Sequence, residues 1–427
     1  VTLNAPAAVA IGDLGDPYPL HTPEFAADPY AAYEAMRLRF GPLAPVLLHP
    51  GVSATLVLGY REAVHILHAT DKFSADPTRW VTGGGLPRGC PIAPMIGPRR
   101  NSLRTGGTAH DRYRAATVAA LSGIDDLMVR DLIAERSVAL VNGFCRRGRA
   151  DLLTDYITPL VFEVICQILG CPPALGAMVA QASAAMFDGI DTGAVDDMLT
   201  TALGRLIALR RHSPGQDVTT RFLNHSARLT DRELIDQLLT VFAAGSEPLV
   251  NLIANALLLI LRDPDFTGRD GRHGEPTGAA IARVLSQDPP MANYCITYPR
   301  APTQLDVIRT FPHTRRVTIA LPPHQPVVVS MAAAATDPTI AAGERELARS
   351  AWNLGWGTGP HACPDPARTL SQHVAAEAID HLLDYMPDLH LIGQPHWRPG
   401  PFHRALAELP VTFDPRPPFP APHDRKQ

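Results

Sequence analysis

The run Trp356-Gly-Thr-Gly359-Pro-His361-Ala-Cys363-Pro-Asp365 puts a thiol and an imidazole two residues apart in a stretch crowded with glycine and proline. With Gly355 just before it, this composition builds a tight loop, and a helical pattern follows from Ala367 to Tyr385. At such a helix start the backbone N–H groups converge on the Cys363 sulfur, favour the thiolate and make it a better metal ligand. His361, if protonated, is a cation able to meet an acidic group on a bound molecule. The spacing excludes two commoner sites. Gly355-x-Gly357-x-x-Pro360 lacks the third glycine of a dinucleotide fingerprint, and no second ligand pair accompanies His361 and Cys363 as zinc requires.

A second informative run is Ala244-Gly245-Ser246-Glu247-Pro248, which sets a carboxylate and a proline in the middle of an apolar helical pattern. That helix starts at a capping box, Thr230 with Glu233, and continues through Ile235, Leu238, Leu239, Phe242, Val250, Ile253 and Leu257 to Arg262. At 1.5 Å per residue it spans roughly 48 Å and, being apolar on most faces, should cross the core. Pro248 lacks a backbone donor and crowds the Ala244 carbonyl, so a kink or an opening is expected there.

Around these two runs the periodicity predicts a mainly α protein with a minor β-sheet region drawn from both ends of the chain. A helix is expected from Pro29 to Phe40, and strands over Ala44 to His49, Ala54 to Leu58, Val317 to Ala320, Val327 to Ser330 and Val411 to Phe413. Asp76 to Ala109, with Gly83-Gly84-Gly85 and five prolines, reads as a long irregular loop of the kind that covers a binding site, with Trp80, Leu86 and Met95 either lining that site or packing as core. From His110 to Leu261 the pattern is mostly helical.

Composition narrows the classes of function. The 427 residues are 46% hydrophobic, enough for a full-sized core, and the net charge of −4 creates no field favouring nucleic acid or an anionic membrane. Six cysteines without a CxxC pair exclude a disulfide scaffold and make a reducing, cytoplasmic setting the default expectation. No uninterrupted apolar run reaches about eighteen residues, and no signal-like segment opens the chain, so a protein without membrane attachment is expected.

The Cys363 loop resembles the haem-ligand loop F-x-x-G-x-H-x-C-x-G of the cytochrome P450 family. Trp356 stands at the Phe position, Gly359 at the first glycine, His361 at the basic position and Cys363 at the iron ligand, whereas Asp365 replaces the last glycine. Further segments occur in the family's order. His110-Asp-Arg-Tyr-Arg114 is similar to H-x-R-x-R, and Ala244 to Pro248 is similar to A-G-x-E-T. Arg300 followed by a strand and then Asp337-Pro338 also fits, as does Arg404-Ala-Leu-Ala-Glu-Leu409-Pro410-Val411 beside R-G-L-x-x-L-P-V. The resemblance implies one P450-fold domain over residues 17–413, with a flexible segment over 1–16 and a Pro-rich tail over 414–427. It implies haem b, with Cys363 on the iron and His110, Arg114, Arg300 and His361 on its propionates. It also implies a bacterial monooxygenase acting on a small apolar organic substrate, with electrons from a ferredoxin and its reductase.

Two family features are broken. Where a Glu-x-x-Arg pair is usual, Arg283 and Ser286 stand instead, while Glu346-Leu-Ala-Arg349 lies too near Cys363 to be its equivalent; in this the chain resembles an actinomycete group lacking the motif. The family's proton-delivering alcohol is replaced by Pro248, and Ser246 points about 100° around the helix from its neighbour Glu247. Glu247 remains the candidate proton-relay acid. Peroxide-dependent turnover is therefore one alternative to the use of dioxygen, and a low-turnover haem sensor or scaffold is another.

Overall fold

The computed structural model describes residues 8–179, 192–263, 266, 276–340 and 353–420. In chain order the strands are β1 (Val9–Ala10), β2 (Tyr18–Pro19), β3 (Leu43–His49), β4 (Val52–Val57), β5 (Phe73–Ser74), β6 (Arg149–Asp151), β7 (Asn293–Pro299), β8 (Thr303–Arg309), β9 (Arg315–Leu321), β10 (Val327–Ser330), β11 (His390–Leu391) and β12 (Pro410–Thr412). The early helices are α1 (Pro23–Ala27), α2 (Pro29–Phe40), α3 (Tyr60–His68), α4 (Thr78–Thr82) and α5 (Ala93–Ile96). The helical body is built from α6 (Gly107–Ser122), α7 (Asp126–Phe144), α8 (Thr158–Leu169), α9 (Thr192–His212), α10 (Val218–Asn224), α11 (Asp231–Arg262) and α12 (Thr277–Gln287), followed by α13 (Met331–Ala335) and α14 (Asp365–Tyr385).

Apolar, β-branched residues on either side of Pro50-Gly51 make the β3–β4 hairpin, with Gly51 at φ +80° in the turn. It forms the middle of a six-stranded sheet ordered β2-β3-β4-β10-β7-β5, in which β10 runs parallel to β4 and antiparallel to β7. The expected strands are all present within a few residues. Strand β7 was not foreseen: its polar and aromatic letters, between Pro289-Pro290 and Pro299, mask an otherwise buried strand. Residues 9 and 10, inside the segment expected to be flexible, pair in parallel with β9, and Ile11 beside them is buried.

Helix α11 is the axis of the helical body. Its capping box is formed as read, and the Glu233 carboxylate also accepts from Arg112 and from Tyr113 (both 2.7 Å), which ties the start of α11 to α6. The Arg112 guanidinium holds the Glu233 carboxyl down at about 2. From Leu249 to Leu258 every residue is buried. By length and composition alone α11 could cross a membrane, but here it is a core helix. The helix does not open at Pro248: α-helix continues from Asp231 to Arg262 through the proline. Proline removes the donor opposite Ala244, and Ser246 Oγ bonds back to the Phe242 carbonyl (2.7 Å) in the turn before it.

The stretch from Asp76 to Ala109 is less irregular than its composition implies. It carries α4, α5 and the first residues of α6, and Trp80 is buried with Leu86 and Met95 against the core that includes Tyr298 and Phe402. Those three side chains pack as core, the second of the two readings.

Candidate active site

The loop before α14 has the shape its glycines imply. Gly357 and Gly359 adopt φ +70° and +74°, and a Cβ on Gly359 would lie 2.5 Å from the Leu67 carbonyl oxygen, a backbone atom that cannot swing aside. Gly355 is equally constrained, 2.4 Å from the Leu285 oxygen at the end of α12. The chain doubles back so that Cys363 N–H donates to the Trp356 carbonyl (2.8 Å) and Ala362 N–H to the Gly359 carbonyl (3.1 Å). The Trp356 side chain packs half-buried on the helical core. Pro364 and Pro366 then open α14, and Arg368 Nε donates to the Cys363 carbonyl (2.8 Å).

Cys363 is half-buried at this helix start, yet the thiolate is not favoured there. Burial pushes the thiol up to about 11, against the opposing pull of Arg368 and Arg114.

The proposed propionate residues come together although they lie in three regions of the chain. The rings of His110 and His361 are 4.2 Å apart, centre to centre. His361 Nε2 is 2.8 Å from the Thr105 carbonyl, and burial pushes its pKa down to about 4. It is therefore a neutral hydrogen-bonding ring near neutral pH rather than the cation considered from sequence. His110 is 5% exposed; its Nδ1 lies 3.2 Å from Asp111 Oδ1, while its buried Nε2 has no partner. One turn on, burial lowers the Arg114 pKa, with Cys363 the first charge that opposes the shift. Arg300 binds the Thr70 carbonyl through Nε (3.2 Å), and its Nη2 would be 3.6 Å from a Cβ on Gly106, where the chain enters α6.

The middle of α11 differs from its expected roles. Ala244 is exposed and Gly245 to Pro248 are half-exposed, although the turns that follow are buried. Gly245 is a packing residue as well, since a Cβ there would reach within 2.9 Å of Ile165 Cδ1 on α8. The Ser246 hydroxyl is committed to the Phe242 carbonyl. Glu247 is not a free acid: it forms an ion pair with Arg398 and accepts from Asn251 Nδ2 (3.2 Å). His403, near this pair, has both ring nitrogens shielded and unpartnered, and burial, followed by Arg398, pushes it down to about 4. Sequence reading missed Arg398 and His403 because no motif links them to Glu247 across about 150 positions.

In place of the missing Glu-x-x-Arg pair, other contacts join α12 to its surroundings. Arg283 pairs with Asp263 (2.9 Å), and buried Ser286 turns back to the Arg283 carbonyl (3.1 Å). Just beyond α12, Asp288 accepts from Tyr30 (2.8 Å) and Arg404 (3.4 Å). Arg404 also binds the Ala26 carbonyl (2.7 Å), and its guanidinium carbon lies 3.3 Å from the centre of the Trp397 ring. Glu346 and Arg349 lie outside the described residues.

No family model matches the chain. Whole-length relatives do. It is 28% identical to the cytochrome P450 monooxygenase PikC of Streptomyces venezuelae, over 96% of each chain. It is 25% identical to the biotin biosynthesis cytochrome P450 of Bacillus subtilis, over 92% of this chain and 98% of that one. Among solved structures, CYP154C4 from Streptomyces sp. ATCC 11861 superposes with a TM-score of 0.79 at 24% identity, covering 93% of this chain and 98% of that one. With this fold, and with the thiol, imidazoles and guanidiniums gathered as described, the chain is similar over nearly its whole length to bacterial cytochrome P450s, oxidoreductases that carry haem. The site suits that cofactor: the orphaned Nε2 of His110 and the half-buried Arg114 call for an anionic acceptor, and Cys363 is the one thiol beside them.

Proposed function

We propose that the protein is a monooxygenase that inserts one oxygen atom into a small apolar organic substrate in the cytoplasm, with electrons from a ferredoxin and its reductase. The observation that carries this reading is the meeting of Cys363, His361, His110 and Arg114 from separate parts of the chain. Bound haem supplies an iron that accepts a thiolate and activates oxygen for attack on unreactive carbon–hydrogen bonds. Cys363 serves as the thiolate; Arg114 and Arg368 are the charges that favour its loss of a proton. His110 would hold a propionate through its unpartnered Nε2, with Arg114 and Arg300 as charged partners and His361 fixing the Thr105 carbonyl beside them. Ala244 and Gly245 form the exposed part of α11 that faces the substrate side.

Proton supply is where this chain departs from the family motif described above. Pro248 offers no hydroxyl, Ser246 is tied to Phe242, and Glu247 must part from Arg398, or pass a proton through it, to act. Those three facts favour peroxide as the oxidant in a second reading, because hydrogen peroxide already carries the two electrons and two protons that a dioxygen route must gather through the protein. The test of the central reading is the absorption spectrum of the reduced, CO-bound protein. A red-shifted thiolate band in the wild type that is lost in Cys363→Ala is expected; persistence of the band in that variant refutes the ligand assignment. Turnover with NADPH, ferredoxin and reductase, compared with peroxide alone, separates the two oxidants.

A further inference from the structure

Arg104, in the loop just before α6, is 4% exposed. Its guanidinium donates to the Met95 carbonyl and to Tyr294 Oη (2.8 Å), and lies 5.3 Å from the centre of the Tyr294 ring. All three partners are neutral, and among the described residues no carboxylate pairs with this cation. A guanidinium taken out of water without a counter-charge is strongly disfavoured, so its position needs a cause.

The chain fixes that position from three sides. Leu103 and Arg104 donate their N–H groups to Asn101 Oδ1 (3.2 and 2.8 Å), and Asn101 Nδ2 donates in turn to Thr240 Oγ1 on α11 (2.6 Å). Thr105, the next residue, presents its carbonyl to His361 of the Cys363 loop. Tyr294 belongs to β7. The central helix, the cysteine loop and the sheet therefore hold one buried, uncompensated cation at the edge of the active site.

We infer that Arg104 is a carboxylate-binding residue of this site, its planar fork engaging a carboxylate carried by a bound molecule. The inference rests on the haem-thiolate reading above. A guanidinium matches the two oxygens of a carboxylate in one plane, which an ammonium cannot do. Two sources bring that group here: haem, through a propionate, and a substrate with a carboxylate. The Thr105–His361 contact, next to the His110 and Arg300 group, favours the propionate.

The test compares wild type with Arg104→Gln and Arg104→Lys. Haem retention is measured as transfer from holoprotein to excess apomyoglobin, and ligand binding as the difference spectrum with tetradecanoic acid and with its methyl ester. For a propionate partner, R104Q loses haem at least about tenfold faster, and R104K lies between R104Q and wild type. For a substrate partner, haem loss is unchanged, and R104Q weakens binding of the acid by about tenfold while the ester is unaffected. No change in either measurement overturns the inference. Should R104Q fail to fold, R104K carries the same comparison, since it keeps the charge and loses the fork; wild-type behaviour of R104K in both assays then overturns it. A wild type without the thiolate band refutes the haem-thiolate reading itself, independently of either variant.

Discussion

Replacing Pro248 with Thr changes stability and chemistry in directions that can be read separately. The helix runs unbroken through this residue, so a threonine N–H is placed to regain the bond to the Ala244 carbonyl that proline forfeits. Proline in a helix interior costs about 3 kcal/mol relative to alanine and threonine up to about 0.7, so Pro248→Thr should stabilise the fold by about 2 kcal/mol. Urea unfolding of the haem-loaded protein measures this gain. The same substitution adds the hydroxyl that Ser246, held by Phe242, does not provide. If its absence limits proton delivery, the fraction of NADPH electrons recovered in product should rise, and the peroxide-driven rate should change little. A stabilised variant with unchanged coupling would falsify the proton-delivery argument, whereas no gain in stability would show that the helix had already accommodated the proline.

Two other outcomes follow from single side chains. Gly359→Ala must place a Cβ 2.5 Å from the Leu67 carbonyl at a left-handed φ; the conformation alone costs about 1–2 kcal/mol, and displacement of the loop should lower the thermal midpoint and weaken the thiolate band. An unshifted melting curve and an intact band would show that the loop has slack. His403 is held down at about 4, against an ordinary 6.5, so the unfolded chain binds the extra proton between those values and stability falls as pH drops from about 6.5 to about 4. His403→Phe should remove up to about 3 kcal/mol of that acid loss, seen as a flatter dependence of the thermal midpoint on pH; parallel profiles for the two proteins would contradict the assignment.

The cysteine loop was legible because its constraints are local. Gly357 and Gly359 need positive φ, His361 and Cys363 lie within the same turn, and the helix follows directly. The gathering of His110, His361, Arg114 and Arg300 was legible only through the order of motifs, since nothing in the letters of His110 or Arg300 shows that they meet. Arg104 and Arg398 were not legible at all. Each is one arginine among many, and its meaning comes from burial and from partners on other elements. Burial also acts where the sequence gives no sign of it: it raises the Cys363 thiol and lowers His361 in the folded chain. At Pro248 the local rule was real, yet packing along α11 overrode it.

The cluster of Tyr30, Asp288 and Arg404 has a consequence for how the protein is made. Its members are separated by 258 and 116 positions, so the clasp that stands beside α12 joins the beginning, the middle and the end of the chain. During translation Tyr30 and Asp288 emerge long before Arg404, and Asp288 has no guanidinium partner in this cluster until nearly the whole polypeptide has left the ribosome. A local Glu-x-x-Arg arrangement has both of its letters within one helical turn from the start. The clasp is thus a long-range contact where that one is local, and it forms only once Arg404 has been synthesised.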